Sequence, residues 1–346
     1  MKLFRWFIPV FLLLSLSVYS QTDVSSLIRQ GVRLHDKEDY KGAIGFYQQA
    51  LSVNPNSMPA MYEMSLSYLE LKDYAEALKY STKVINSNFK PLQVDAYVVK
   101  STALAAMEKY QDAITLLKEA LVKCGDDYLL NYNLGLSYFK IQDSAHAIQY
   151  LGKSIDKKIN DADAYYTYAY ALIDQNRYLE ALLALDSYLL LEPDGSNSKD
   201  VFEDMMDILQ NKLTVVAGED KPAQVPGVDM AQVAAIIQKT KTQFPGSDKQ
   251  AEYQFFQEAT KGLLTEFQSK QNEENDGLFW NYFVPTYSDI LESHYFDVFC
   301  RYISVAAYPE SLTWWKSNKT RVEEFIEWFE TANGTDQMDD EQGESE

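Results

Sequence analysis

Small and apolar positions recur at fixed spacing through the first half of this 346-residue chain. Five similar stretches, from DYKGAIGFYQQAL at 39–51 to RYLEALLALDSYL at 177–189, each carry an alanine at the same place. The alanines are separated by 34, 36, 34 and 34 residues, a period that predicts stacked helix-turn-helix repeats. The pattern therefore predicts a helical solenoid, with its packed alanines at Ala43, Ala77, Ala113, Ala147 and Ala181.

The first half of each repeat follows the same period. Twelve residues before each alanine stands a small residue, where the two helices of a hairpin must approach closely. Three residues further on stands a large apolar or aromatic residue, which we expect to fill the space between hairpins. The small residues are Gly31, Ser65, Ser101, Gly135 and Ala169, and the large ones are Leu34, Tyr68, Leu104, Tyr138 and Leu172.

Further marks of the repeat support an identification. A tyrosine opens the second helix in four of the five repeats, and Ser144 replaces it in the fourth. Pro55 and Pro193 follow the first and fifth hairpins, where a proline ends a helix. On these residues, segment 22–194 resembles a tetratricopeptide repeat array. It departs from the family pattern at Phe89, where a proline is expected, and in two extra residues between repeats two and three.

The remainder of the chain also predicts helices and an all-α fold. Residues 195–216 are interpreted as a capping helix and the glycine- and proline-rich residues 217–229 as a linker. Residues 230–332 then form a helical domain rich in aromatic residues, which resembles no family that we recognise. Apolar spacing of three and four predicts its helices at 230–244, 249–267, 287–306 and 319–332.

The two ends of the chain indicate targeting and solvation. Lys2 and Arg5 precede a short apolar run at 7–18, a pattern typical of a cleaved secretory signal at residues 1–20. Residues 333–346 are strongly acidic and predict a disordered tail. We therefore expect an exported protein, periplasmic or secreted, and the composition favours a bacterial cell envelope.

Charge and cysteine content limit the classes of partner. The net charge is −20, and it becomes −22 without Lys2 and Arg5, so nucleic acid and anionic membrane surfaces are poor partners. After the signal, no apolar run is long enough to span a bilayer. Cys124 and Cys300 form no disulfide framework, and we expect two buried thiols, although an oxidising compartment would permit a bridge.

The resemblance implies where a partner would bind. In such arrays the first helix of each hairpin lines a concave groove, and the matching positions here are apolar or aromatic. A clamp for a terminal carboxylate is excluded, because its basic positions are occupied by Ile28, Val32, Glu63, Asp95 and Val99. The predicted groove residues are Tyr62, Leu66, Leu69, Tyr132, Leu136, Phe139, Tyr166, Tyr170 and Ile173.

Candidate chemistry is sparse elsewhere. The chain has no phosphate-binding loop and no paired-cysteine motif. The one polar cluster holds Asp289, Glu292, His294 and Asp297, and we interpret it as a histidine hydrogen-bonded to a neighbouring carboxylate. The sequence therefore predicts no catalytic residue, no metal ligand and no cofactor.

These patterns lead to one main hypothesis with two alternatives. The first is a non-catalytic exported scaffold that binds a peptide or helical segment of a cell-envelope protein in the tyrosine-lined groove, with the C-terminal domain capping the array. The C-terminal half could instead cover the groove itself. The runner-up is a glycan-handling or enzymatic C-terminal domain, marked by Trp280, Trp314 and Trp315, with the repeats as a docking platform. The third is self-assembly, and the pattern leaves the oligomeric state open.

Overall fold

The protein is all-α, as predicted. The computed structural model describes residues 23–215, 218, 221–246 and 248–332, and these residues form helices and no strand. The expected signal peptide at 1–20 and acidic tail at 333–346 lie outside the described residues.

Ten helices make up the five repeats, two to each repeat. Three of the second helices begin with an aspartate whose side chain accepts a hydrogen bond from a backbone amide of the first turn, namely Asp39, Asp73 and Asp143. The helices are α1 (Val24–His35), α2 (Tyr40–Val53), α3 (Met58–Glu70), α4 (Tyr74–Asn86), α5 (Gln93–Ala106), α6 (Tyr110–Cys124), α7 (Tyr128–Lys140), α8 (Ser144–Lys157), α9 (Ala162–Asp174) and α10 (Tyr178–Leu191).

The turn inside each hairpin is built in the same way five times. One non-glycine residue adopts a left-handed conformation, with φ between 55° and 62°. The next backbone amide donates to the carbonyl five residues earlier at 2.9–3.0 Å, which satisfies a free carbonyl at the end of the first helix. The left-handed residues are Glu38, Lys72, Glu108, Gln142 and Asn176.

The small residues of the pattern lie where the helices meet, as predicted. All five of the repeated alanines are fully buried, and the small residues of the first helices are buried as well. A Cβ atom at Gly135 would lie 2.6 Å from Leu151 Cγ and 3.0 Å from the Leu151 backbone nitrogen. The close approach of α7 and α8 therefore requires a glycine at this position.

The chain divides into two compact units between Leu92 and Gln93. The boundary follows the longer turn that the sequence places between repeats two and three, where Lys90–Leu92 form a short 3₁₀ helix. The first unit holds α1–α4. The second holds repeats three to five together with all the described C-terminal helices.

Seven further helices lie in the described residues of the C-terminal part of the second unit. Two π-helical turns, at Ile208–Lys212 and Phe279–Phe283, lie against α11 and α14. The helices are α11 (Ser198–Asp207), α12 (Met230–Gln243), α13 (Lys249–Lys270), α14 (Val284–Glu292), α15 (Phe296–Ile303), α16 (Pro309–Ser317) and α17 (Lys319–Ala332).

The predicted helices at 230–244, 249–267 and 319–332 are confirmed, but a single helix at 287–306 is wrong. Two helices, α14 and α15, occupy that stretch. Ser293 is extended, with ψ of 165°, and its hydroxyl accepts a hydrogen bond from the Tyr295 amide at 3.1 Å. This local turn replaces the helical hydrogen bonds and breaks the helix.

The C-terminal helices cover α10. Every residue of α10 from Tyr178 to Leu190 is buried, and α11, α15 and the turn at Phe279–Phe283 pack against the helix. Tyr287 donates to the Leu183 carbonyl at 3.2 Å and shares a 2.8 Å hydrogen bond with Ser187. The last repeat is therefore capped by the C-terminal part of the chain.

The described part of the predicted linker, residues 221–229, forms no helix but is packed against the second unit. Val225 and Val228 are buried, and the Ala223 amide donates to the Asn176 carbonyl at 2.8 Å. The indole of Trp280 donates to the Pro226 carbonyl at 3.0 Å. These contacts fix this segment along repeat five.

Candidate protein-binding face

The structure places the nine predicted groove residues on the first helices of three repeats, at partly exposed positions. Three lie on α3 in the first unit, and six lie on α7 and α9 in the second. All nine are intermediate between buried and exposed, so their side chains both pack and remain accessible. We call the six residues of the second unit the tyrosine face: Tyr132, Leu136, Phe139, Tyr166, Tyr170 and Ile173.

Ring contacts hold the α9 part of the tyrosine face. The ring of Tyr166 lies 4.7 Å from that of Tyr170 and 5.4 Å from that of Tyr188, measured between centroids. The Tyr170 hydroxyl donates to the Asp204 carboxylate on α11 at 2.6 Å. Burial, followed by this hydrogen bond, raises the pKa of Tyr170 above its ordinary value, so the hydroxyl keeps its proton.

Tyr132 occupies the α7 part of the tyrosine face. Burial raises its pKa, and the nearby carboxylates of Asp163 and Asp161 raise it further. Next to it, Asn133 lies 3.5 Å from the Thr102 hydroxyl, which joins α7 to α5. At this part of the tyrosine face, an aromatic ring therefore lies close to acidic side chains.

On α3 of the first unit, Tyr62, Leu66 and Leu69 stand in the same repeat positions. The same helix carries Ser67, whose hydroxyl lies within hydrogen-bond distance of the His35 imidazole, at 2.9 Å. Burial, together with the Asp36 carboxylate, raises the pKa of Glu63 to about 7. The raised pKa shows that a negative charge on Glu63 is unfavourable at this partly buried position.

Asp95 on α5 is a partly buried acid of the second unit. Burial raises its pKa, and the Asp127 carboxylate adds to the effect. Asp127 itself caps α7 by accepting hydrogen bonds from the Leu129 and Leu130 amides. Asp95 thus lies partly buried beside a carboxylate that the fold requires.

The polar cluster of the C-terminal part differs from its prediction. The predicted hydrogen bond between His294 and Asp297 is not formed. The two oxygens of Asp297 instead accept hydrogen bonds from the Arg321 guanidinium at 2.8 and 2.9 Å. His294 is exposed and lies against the Tyr295 ring, with 4.0 Å between centroids. An arginine was available to Asp297 because α17 packs against α15, a long-range contact that the local pattern does not contain.

No site for a metal or a membrane emerges from the residues that are described. Within them, no group of three or more His, Cys, Asp or Glu side chains is arranged to hold a metal ion. None of their helices combines the length and the apolar character needed to cross a bilayer. Cys300 is buried, but Cys124 is only partly so, at the end of α6, and the expectation of two buried thiols is wrong for Cys124.

The C-terminal aromatic residues form a core. Phe202 meets both Phe256 and Tyr308 edge to face, at 5.0 and 5.3 Å between centroids. Trp280 is 3% exposed, so its faces are not available for stacking on a sugar. Trp314, Trp315 and Trp328 are partly exposed.

One buried acid, Asp186, is not among the residues predicted from the sequence. Asp186 lies on α10 and is 4% exposed, and burial alone raises its pKa to about 8. It lines a small cavity with apolar residues of α10, α11 and α13, among them Leu182, Met205 and Leu263. A sequence signal did exist, because Asp186 lies in the middle of a helix that is largely apolar.

Comparisons with known proteins agree with the repeat architecture. A family model described as "Anaphase-promoting complex, cyclosome, subunit 3" matches residues 36–120, and one described as "Tetratricopeptide repeat" matches residues 98–161 and 132–198. Together the matches run from the end of α1 to the start of α11. The matched region ends before the C-terminal helices that cover α10.

Curated relatives share only part of their length with this chain. Neutrophil cytosol factor 2 of Homo sapiens is 35% identical over 120 residues, 34% of this chain and 22% of the human protein. BBSome complex member BBS4 of Mus musculus is 28% identical over 132 residues, 38% of this chain and 24% of the mouse protein. The chain thus matches about a quarter of these relatives or less.

Solved structures are similar to this chain in fold only. A thermophilic tetratricopeptide repeat protein of Thermus thermophilus is 21% identical, with 54% of this chain and 99% of that chain covered and a TM-score of 0.45. The pilF protein of Pseudomonas aeruginosa is 20% identical, with 68% and 96% covered and a TM-score of 0.47. From the repeated residues, the recurrent turns and the family matches, the repeat segment of this chain belongs to the tetratricopeptide repeat family.

Proposed function

We propose that this protein is an exported, non-catalytic scaffold that holds a peptide or helical segment of a cell-envelope protein on the tyrosine face. The tetratricopeptide repeats support a role in binding other proteins. The observation that carries the proposal is the accessibility of the tyrosine face. Its six apolar and aromatic side chains stay partly exposed, whereas the C-terminal helices cover α10.

The composition of the tyrosine face suits such a contact. Tyrosine rings give a large contact area at a low cost in side-chain entropy, and they are enriched where protein interfaces are most stabilising. Tyr166 and Tyr170 are already oriented by Tyr188 and Asp204. An oriented surface loses less entropy on binding than a mobile one.

Site-specific photocross-linking tests this proposal in cells that carry the protein. A photoreactive phenylalanine analogue replaces Leu136 on the tyrosine face or, as a control, Val122 on α6, which is 88% exposed. We expect a discrete adduct to a partner from position 136 and none from position 122. Equal adducts from both positions, or none from either, would contradict the proposal.

Two further measurements separate the parts of the proposal. Changing Tyr132, Tyr166 and Tyr170 together to alanine removes the ring contacts, and we expect the adduct from position 136 to disappear. The control is Tyr150→Ala, because Tyr150 lies on a second helix and stacks on Tyr138. Export is tested by cell fractionation with an intact mass, and we expect the cell-envelope or secreted protein to lack residues 1–20. A full-length cytoplasmic product would refute this part.

A further inference from the structure

Three acidic side chains flank the tyrosine face. Asp95 and Asp163 stand at equivalent repeat positions on α5 and α9, three residues before Val98 and Tyr166, and so on the same helix faces as these residues. Asp204 lies at the end of the face, where it accepts the hydrogen bond from Tyr170. Among the described residues, none of these three carboxylates forms an ion pair.

The neighbouring positions of the first helices, which could supply a compensating positive charge, are uncharged. The tyrosine face itself contains no lysine or arginine, and Val98, Thr102 and Ala105 continue it on α5 without charge. Elsewhere on the second unit some exposed acids are paired, as Asp126 is with Lys157 at 3.1 Å and Glu119 with Lys123 at 2.6 Å, and others, such as Asp112, form no ion pair among the described residues. The carboxylates beside the tyrosine face therefore meet no compensating charge on the face itself.

The first unit also carries a partly buried acid on a first helix, at a different position of the repeat. On α3, Glu63 directly follows Tyr62 and lies partly buried near the Asp36 carboxylate. Within the described chain, Glu63 is in no ion pair. In both units, then, a first helix carries a partly buried carboxylate close to a second carboxylate.

A cation from outside the chain would offset the cost of these charges. Asp95, which is partly buried beside the Asp127 carboxylate, regains part of that cost when an arginine or lysine is placed against it, and the exposed Asp163 and Asp204 add attraction for the same cation. Tyrosine rings add attraction, because a cation over an aromatic face is stabilised by the ring. An acidic or phosphorylated segment would meet repulsion from the same groups.

We infer that the occupant of the tyrosine face is a basic segment of a partner protein, in which arginine or lysine side chains alternate with apolar ones. This inference rests on the proposed function. The apolar side chains contact Tyr132, Leu136 and Tyr166, and the basic ones reach Asp95 and Asp163. Packed helices lie about 9 Å apart, so α5 and α9 are separated by about 18 Å across α7. An extended chain covers that distance in about five residues.

A selection with random peptides tests the chemistry of the occupant directly. A phage-displayed library of random twelve-residue peptides is selected on the full chain, and again on the variant with alanine at positions 132, 166 and 170. We expect the wild-type protein to enrich peptides with a net charge of about +2 or more and with apolar residues between the basic ones, consistent with charge complementarity. The alanine variant should enrich none of them.

The enriched consensus peptide is then synthesised and titrated by fluorescence anisotropy. For D95N/D163N we expect binding about ten-fold weaker, since two charge-assisted contacts are lost. The control D112N/D156N changes the net charge equally at two exposed aspartates of α6 and α8 and should leave the affinity within about two-fold. Affinity of the wild-type protein should also fall with added salt.

The outcomes separate the two proposals. Enriched peptides that are neutral or acidic, yet depend on the three tyrosines, would overturn the basic partner and leave the peptide-binding face in place. A basic consensus whose affinity is equal in D95N/D163N and in the control would also overturn it. If the wild-type protein enriches no peptide above the background, the peptide-binding face itself fails.

Discussion

The buried carboxyl group of Asp186 predicts a pH-dependent stability that one substitution removes. Asp186 is 4% exposed, and one of its oxygens has no hydrogen-bond partner in the described residues. The cavity beside it, about 10 Å³, has room for about one water molecule. No lysine, arginine or histidine lines the cavity, so burial favours the neutral acid.

The sign and size of the effect follow from the pKa. In the unfolded chain the carboxyl loses its proton near its ordinary value of 3.8, whereas the folded protein holds the proton up to about pH 8. Between these values the native state binds more protons than the unfolded state, so stability falls as pH rises. The slope is about 1.4 kcal/mol per pH unit, and the whole span amounts to roughly 6 kcal/mol.

Two neighbouring groups do not titrate in this range. Burial raises the pKa of the Tyr287 hydroxyl and of the Cys300 thiol well above their ordinary values, and Asp186 contributes to both. Both groups therefore stay neutral from pH 5 to 8. The remaining side chains of the cavity, such as Thr260 and Phe267, carry no ionisable group.

Asp186→Asn keeps the size of the side chain and removes its titration. Urea unfolding of the wild type and the variant is followed by tryptophan fluorescence at pH 5, 6, 7 and 8 at constant ionic strength. We expect the variant's advantage in free energy of unfolding to grow by up to about 1.4 kcal/mol with each pH unit. Asp112→Asn, at an exposed position on α6, serves as control for the change in net charge. A D186N advantage that stays constant from pH 5 to 8 would refute the reasoning.

Three further predictions concern the repeats, each checked by denaturant unfolding. Gly135→Ala should lower the free energy of unfolding by about 1–3 kcal/mol, because the new Cβ would lie 2.6 Å from Leu151. Gly152→Ala is the control, because a Cβ there would have its nearest neighbour at 3.6 Å. This variant should raise the free energy of unfolding by about 0.5–1 kcal/mol. Equal effects at the two glycines would contradict the packing. Gln142→Gly should stabilise by up to about 1 kcal/mol, because its φ of 62° strains a side chain, and a loss of stability would contradict this. Ala147→Leu should destabilise by about 1–3 kcal/mol through overpacking at a fully buried site, and an unchanged midpoint would refute the repeat register.

The repeats could be predicted because their information is local. The spacing of Ala113, Ala147 and Ala181 fixes which side of each helix is packed, and turns of one design follow at the same period. Tyr165 and Tyr166 show that the repeat pattern must be aligned to within a single residue. Tyr165 is 1% exposed and bonds to Tyr282, whereas its neighbour Tyr166 is on the tyrosine face. A one-residue error would have exchanged their roles.

The C-terminal part could be predicted only as a set of helices. Its packing rests on contacts between residues far apart in the sequence, such as Tyr287 with Ser187 and Arg321 with Asp297. A periodic pattern does not encode these pairs. The break at Ser293 was missed for the opposite reason, because one hydroxyl interrupts a helix whose apolar spacing continues through it.

The burial of α10 explains how one chain can combine a stable end with an accessible surface. A repeat array exposes apolar surface at its last repeat, and here α11, α15 and the turn at Phe279–Phe283 cover that surface completely along α10. The same helices meet α9 through Tyr165 and leave Tyr166 and Ile173 partly exposed. The capped side of α9, at Tyr165, therefore lies next to the side that carries Tyr166 and Tyr170, and α11 reaches the edge of the tyrosine face through the Tyr170–Asp204 hydrogen bond while leaving its side chains partly exposed.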